Sequence, residues 1–113
     1  MGFFNGVFPV LPGQEDAARV LSKELSGPRA EAFTESQARC GITEETWSLQ
    51  ETPAGTFWLV FFKGDVEKAF TNLATSDEDY EKWFRAQILD ICGVDLAQPP
   101  AGPLPENIFD WKA

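Results

Sequence analysis

Asp77, Glu78, Asp79 and Glu81 set four carboxylates within five positions, the densest acidic group in the chain. Carboxylates so close could hold calcium or magnesium, but these lack the glycine and the ligand spacing of a calcium loop. They read instead as the acidic first turn of a helix, where negative charge meets the positive end of the backbone dipole, and no metal is assigned to them. Cys40 and Cys92 are the only cysteines and follow no C-x-x-C spacing. Each stands near the end of an expected helix with a glycine directly after it, as a buried, unreactive thiol would. Such usage points to a reducing compartment, the cytoplasm. The chain has no histidine. That removes the imidazole from any serine or cysteine nucleophile, from the common zinc sets and from a histidine-ligated haem. Asn5 stands out differently: in an otherwise apolar strand, a buried amide must find partners, either structural ones or a ligand.

Lysine and arginine total 9 against 18 aspartates and glutamates, a net charge of −9. Phosphate backbones and anionic membranes are recognised by clustered cations, so this balance predicts neither a nucleic-acid nor a membrane partner. The 113 residues fit one domain, 1–113, and the 43% hydrophobic and 24% charged composition excludes disorder. No apolar run reaches the ~18 residues of a membrane span, and no basic region precedes the apolar N-terminal stretch, so no cleaved export signal is expected.

The elements that must position any site follow from periodicity. Residues 3–11 read as a strand ending at Pro12-Gly13. Ala17, Ala18, Leu21 and Leu25 give a helical stripe that Ser26-Gly27-Pro28 interrupts. Ala30, Phe33 and Cys40 continue it to Gly41, a residue free to take the left-handed conformation that stops a helix. Trp47 and Leu49 alternate with Thr46, Ser48 and Gln50 in a strand over 42–52, and a turn at Pro53-Ala54-Gly55 leads into a strand over 56–63, together a hairpin. Gly64-Asp65 opens a helix carrying Val66, Ala69, Phe70 and Leu73. Ser76 with Asp79 resembles a capping box that restarts it, along Tyr80, Trp83, Phe84, Gln87, Ile88 and Ile91. After Gly93 comes a proline-rich connector over 98–105, and a short strand is expected at 107–111. The order is βαββαβ, with both helices broken: an α+β, ferredoxin-like fold with a four-stranded antiparallel sheet and the helices on one face.

The central strand is apolar on both sides. Phe57, Leu59 and Phe61 point one way; Trp58, Val60 and Phe62 point the other. A sheet with one wet face alternates apolar with polar. Exposing Trp58, Val60 and Phe62 would forgo roughly 1.5–3 kcal/mol each, so the face expected to carry them, with Trp58 at an interface, should be covered by a second copy of the chain.

On these grounds the chain resembles the dimeric α/β-barrel superfamily, in which two ferredoxin-like protomers set their sheets face to face. The stretch Val7-Phe8-Pro9-Val10-Leu11-Pro12-Gly13-Gln14-Glu15 is similar to the strand, Pro-Gly, helix opening of the antibiotic-biosynthesis-monooxygenase type, a group that also includes stress-responsive barrels. The resemblance covers nearly the whole chain in element order. It implies a homodimer, and its members include cofactor-independent oxygenases of polycyclic aromatics, haem-degrading enzymes and lactone isomerases. Asn5 and Trp58 could match an asparagine and a tryptophan of the haem-degrading branch, whose axial histidine has no counterpart here.

A cofactor-free oxygenase needs apolar walls, a polar group to orient a phenolic substrate and a stabiliser for its anion. Asn5, Trp47, Trp58, Trp83 and Trp111 could supply walls and an amide, and Arg39 or Arg85 the positive charge. Packing is the stronger account of these residues, Trp83 as core and Trp111 as cover for the final strand. Three readings follow: a homodimeric barrel binding a small apolar or aromatic molecule without cofactor or catalysis, a cofactor-independent monooxygenase or isomerase, and a protein-interaction module.

Overall fold

The computed structural model describes residues 2–100 and 102–113; Ala101, inside the connector expected at 98–105, lies outside the described residues. The elements run β1 (Gly2–Pro9), α1 (Glu15–Leu25), α2 (Ala30–Cys40), β2 (Ile42–Thr52), β3 (Gly55–Gly64), α3 (Val66–Thr75) and α4 (Asp79–Cys92). Each helical stretch is thus divided in two, as the sequence pattern requires. Gly41 and Gly93 end α2 and α4 at φ 71° and 70°, the left-handed region that glycine enters without a Cβ penalty. Asp65 caps α3 by accepting from the Lys68 backbone N–H at 3.0 Å. The expected capping box at Ser76 takes another form. Glu78 is the N-cap of α4 and makes no side-chain cap; Ser76 Oγ instead accepts from the Glu78 N–H and donates to Glu81.

Among the described residues the sheet has three strands in the order β1-β3-β2, with β3 antiparallel to both neighbours. This corrects the expected four. Residues 107–111 form no strand. Proline at positions 99, 100, 103 and 105 removes ladder donors on the approach. Asn107 then donates to Asp110 at 2.7 Å, a local side-chain bond in a segment that pairs with no strand. Trp111, expected to pack that strand, is 74% exposed.

Register settles which face the helices cover, and it reverses the expectation. Trp58 pairs with Phe8 and Leu49, and Phe62 with Phe4 and Glu45. Trp58, Phe62 and Phe4 are buried beneath the helices, against Leu21 and Leu25 of α1 and Phe84, Ile88 and Ile91 of α4 in one cluster and Ala69 of α3 in a second. Trp58 is therefore core and not interface. The outward set is Phe57, Leu59 and Phe61 of β3, Phe3, Asn5 and Val7 of β1, and Thr46, Ser48 and Gln50 of β2. A bulge between Ile42 and Glu44 inserts one residue, so Ile42 and Glu45 both face the helices. Gly64 closes the same corner at φ 148°, where a Cβ would lie 2.1 Å from the Gly41 carbonyl oxygen.

Candidate functional site

Between sheet and helices lies a cavity of about 60 Å³, walled by Phe4, Phe8, Trp47, Trp58, Val60, Phe62, Phe70, Leu73, Phe84, Ile88 and Leu96, with Cys92 and the Glu45 carboxyl as its only heteroatom side chains besides the indoles. Its walls are ordered by aromatic contacts. Trp47 meets Trp58 edge-on at 4.9 Å and 78°, and stacks on Phe84 at 6.3 Å and 27°. Strand alternation places Glu45 two residues before Trp47 on the inward face, and the two are joined directly: Trp47 Nε1 donates to Glu45 Oε2 at 2.7 Å. Gln37 Nε2 of α2 donates to Oε1 at 2.7 Å. Each carboxyl oxygen thus has one donor.

Burial pushes the Glu45 carboxyl above its ordinary value of 4.5, and the hydrogen bonds from Gln37 and Trp47 offset only part of this. Burial also raises the Cys92 thiol, to about 11, so at neutral pH it is protonated and no thiolate nucleophile faces the cavity. Cys40 moves up for the same reason, against the hydrogen bonds of Asn72 and Ser36. The Tyr80 hydroxyl is raised by burial, with the Glu45 and Glu81 charges adding. The raised Glu45 carboxyl has a defined consequence for stability. Between its ordinary value and its raised one, the folded chain holds a proton that the unfolded chain has released, so this group's contribution falls as pH rises through that window. Glu45→Gln, which does not titrate, should therefore gain on the wild type in urea-unfolding free energy as pH increases from 4.5 towards neutrality. A gap that is constant with pH would contradict the raised value.

Behind the cavity, α2, α3 and α4 share a buried polar cluster. Glu81 is fully buried and takes a two-pronged contact from Arg39, Nε to Oε1 at 2.7 Å and a terminal nitrogen to Oε2 at 2.6 Å. Ser76 Oγ adds a bond at 2.9 Å and Asn72 Nδ2 one at 3.4 Å. Burial alone would raise the Glu81 carboxyl. The bonds from Arg39, Ser76 and Ser36, with the Arg39 charge, outweigh it and hold the group below its ordinary value.

The residues singled out from the sequence separate. Trp47 and Trp58 come together in the cavity wall. Arg39 is committed to Glu81, and Arg85 donates to the Leu73 and Ser76 carbonyls at 2.8 and 3.0 Å, fastening the end of α3 to α4. Asn5 is exposed on the open face of the sheet, in a groove with Val7, Thr46, Ser48, Leu59 and Pro105. Asn5 and Trp58 therefore lie on opposite faces of the sheet and cannot address one ligand, which removes the match to the haem-degrading pair. Trp83 packs at the core's rim with the Arg29 guanidinium 3.8 Å over its ring. Asp77, Glu78 and Asp79 are exposed at the start of α4, as a helix N-terminus requires, but Glu81 turns inward.

Sequence reasoning passed over Glu45, Gln37 and the inward role of Glu81. A signal existed for the two acids: Glu45 shares the parity of Trp47, and Glu81 falls at helical spacing with Phe84 and Ile88. Among the described residues no helix is long and apolar enough to cross a membrane. No protein-family model, no curated protein and no solved structure matches this chain.

Proposed function

We propose that this chain is a small-molecule-binding protein of the dimeric α/β-barrel kind, holding a compact, largely apolar ligand between sheet and helices and pairing with a second copy through the open sheet face. The observation that carries the binding reading is the cavity itself: aromatic walls around one carboxyl, the usual make-up of a small-ligand site. Its size narrows the ligand. An engineered cavity of roughly 150 Å³ binds benzene, and about 60 Å³ suits a few heavy atoms or the end of a chain, not the fused rings of an aromatic polyketide.

Two features support the barrel. The order β1-β3-β2 is what a ferredoxin-like sheet keeps when a last strand beside β1 is missing. The face away from the helices, which Pro105 of the C-terminal segment approaches, presents Phe3, Val7 and Leu59 to solvent around the exposed Asn5, large apolar side chains of the kind that mark an interface. An enzymatic reading, isomerisation or oxygenation without cofactor, draws on one observation, an acid of raised pKa in an apolar site.

Xenon and 1-butanol test the cavity. Both should shift the indole resonances of Trp47 and Trp58 saturably in NMR titrations, and leave Trp111, which is exposed, unmoved. If neither probe moves Trp47 or Trp58, the cavity admits nothing and the binding reading falls.

A further inference from the structure

The geometry points to a small protonated amine as the ligand class of the inner cavity, its ammonium paired with the Glu45 carboxylate and its first methylenes lying against Trp47 and Trp58. This rests on the binding reading above and specifies the chemistry of the same site.

Three observations carry it. First, the hydrogen bonds to Glu45 are those of an acceptor: both Gln37 and Trp47 donate, one to each oxygen. A carboxylate has roughly four acceptor directions, so a further donor can be received from the cavity. Second, Glu45 lacks a counter-charge. Among the described residues the ion pairs are Arg19 with Asp16, Arg29 with Glu24 and Arg39 with Glu81. Arg39 has both prongs on Glu81, leaving Glu45 with neutral partners only. Glu45 is half-buried, and a carboxylate partly removed from water is stabilised most by a positive charge brought to it, which a cationic ligand supplies. Third, the surfaces beside the carboxyl are aromatic. Indole faces attract cations through the ring quadrupole, and Trp47 and Trp58 both line the cavity. A neutral apolar ligand would use these walls and leave Glu45 as it is; an ammonium uses both. The volume of about 60 Å³ matches an ammonium head with its first carbons, the remainder of the ligand leaving through a cavity that is not fully enclosed.

The test compares n-butylammonium chloride with 1-butanol, probes of equal heavy-atom count that differ in charge. Titrations follow the Trp47 indole N–H, which reports on Glu45 directly, at elevated salt so that exposed acids are screened. Butylammonium should bind about tenfold more tightly, the difference expected when a hydrogen bond becomes charge-assisted. Glu45→Gln should abolish the preference, so that the two probes bind it with equal affinity. Equal affinities of the two probes for the unaltered protein, or an unchanged preference in Glu45→Gln, overturn the inference. Were the variant not to fold, the comparison on the unaltered protein decides alone. If xenon and 1-butanol bind while butylammonium gains nothing, the amine specificity fails and the cavity reading stands; if none of the three binds, both fail.

Discussion

Arg39→Met should destabilise the protein by up to about 3–5 kcal/mol, the cost typical of orphaning a buried charge; that charge is Glu81, while the Arg39 side chain is itself 31% exposed. Glu81 is 0% exposed, so without the guanidinium its charge would rest on the neutral donors Ser76, Asn72 and Ser36. Methionine keeps much of the aliphatic stem, so the loss is chiefly that of the charge and of two short bonds. The cycle with Glu81→Leu separates the pair's net worth from the penalty of orphaning one member. Because two charges removed together leave no uncompensated group, the double variant Arg39→Met/Glu81→Leu should recover a large part of the loss. The pH dependence gives an independent check with a fixed sign. In the wild type the depressed Glu81 carboxyl contributes stability that is present above its ordinary value of 4.5 and is lost as pH falls through the lower folded value. In Arg39→Met burial acts unopposed by the guanidinium, and protonation relieves the strain. The gap between wild type and variant, measured by urea unfolding, should therefore narrow on going from neutral pH to below 4.5. A cost under about 1 kcal/mol, the value of an exposed pair, would mean that water reaches Glu81.

The hairpin shows how much of this molecule was legible and where reading stopped. The boundaries of β2 and β3 follow from alternation and from the turn at Pro53-Ala54. That both faces of β3 are apolar is equally local information. Which face meets the helices is not, because Phe57, Leu59 and Phe61 are as greasy as Trp58, Val60 and Phe62. The answer lay in the pairing: Thr52 opposite Gly55 sets Leu49 against Trp58 and Ser48 against Leu59, so the polar residues of β2 mark the open side. The same register places Glu45 inward beside Trp47. Glu81 was hidden for another reason. An acid in a first helical turn is explained by the backbone dipole, and only the long-range approach of Arg39, 42 positions away, shows why it is buried. The missing fourth strand reflects a competition that propensity does not register: Ile108, Phe109 and Trp111 have strand-like side chains, but the prolines before them interrupt the ladder and the three side chains stay exposed.

Leu59→Asp should convert a dimer into a folded monomer if the open sheet face is where two copies meet. Leu59 occupies the centre of that face on the middle strand, opposite Val7 of β1 and Ser48 of β2, and is 36% exposed. Since its side chain already reaches solvent, an aspartate there costs the isolated chain little. In a two-fold dimer every residue of the face is used twice. Losing about 2 kcal/mol of apolar burial on each side, and setting two carboxylates near one another on a chain whose net charge is already −9, raises the dissociation constant by a thousandfold or so. Sedimentation velocity at micromolar concentration should therefore show a dimer for the wild type and a monomer for Leu59→Asp, with the same far-ultraviolet circular dichroism. Ser48→Asp, on the polar border of the face, should weaken the dimer less. The contrast with the inner face makes the assignment specific: Trp58→Asp buries a charge in the core and should yield no soluble folded species at all. A wild-type protein that sediments as a monomer would remove the interface. The cavity beneath the sheet would survive that result, since its walls all come from one chain.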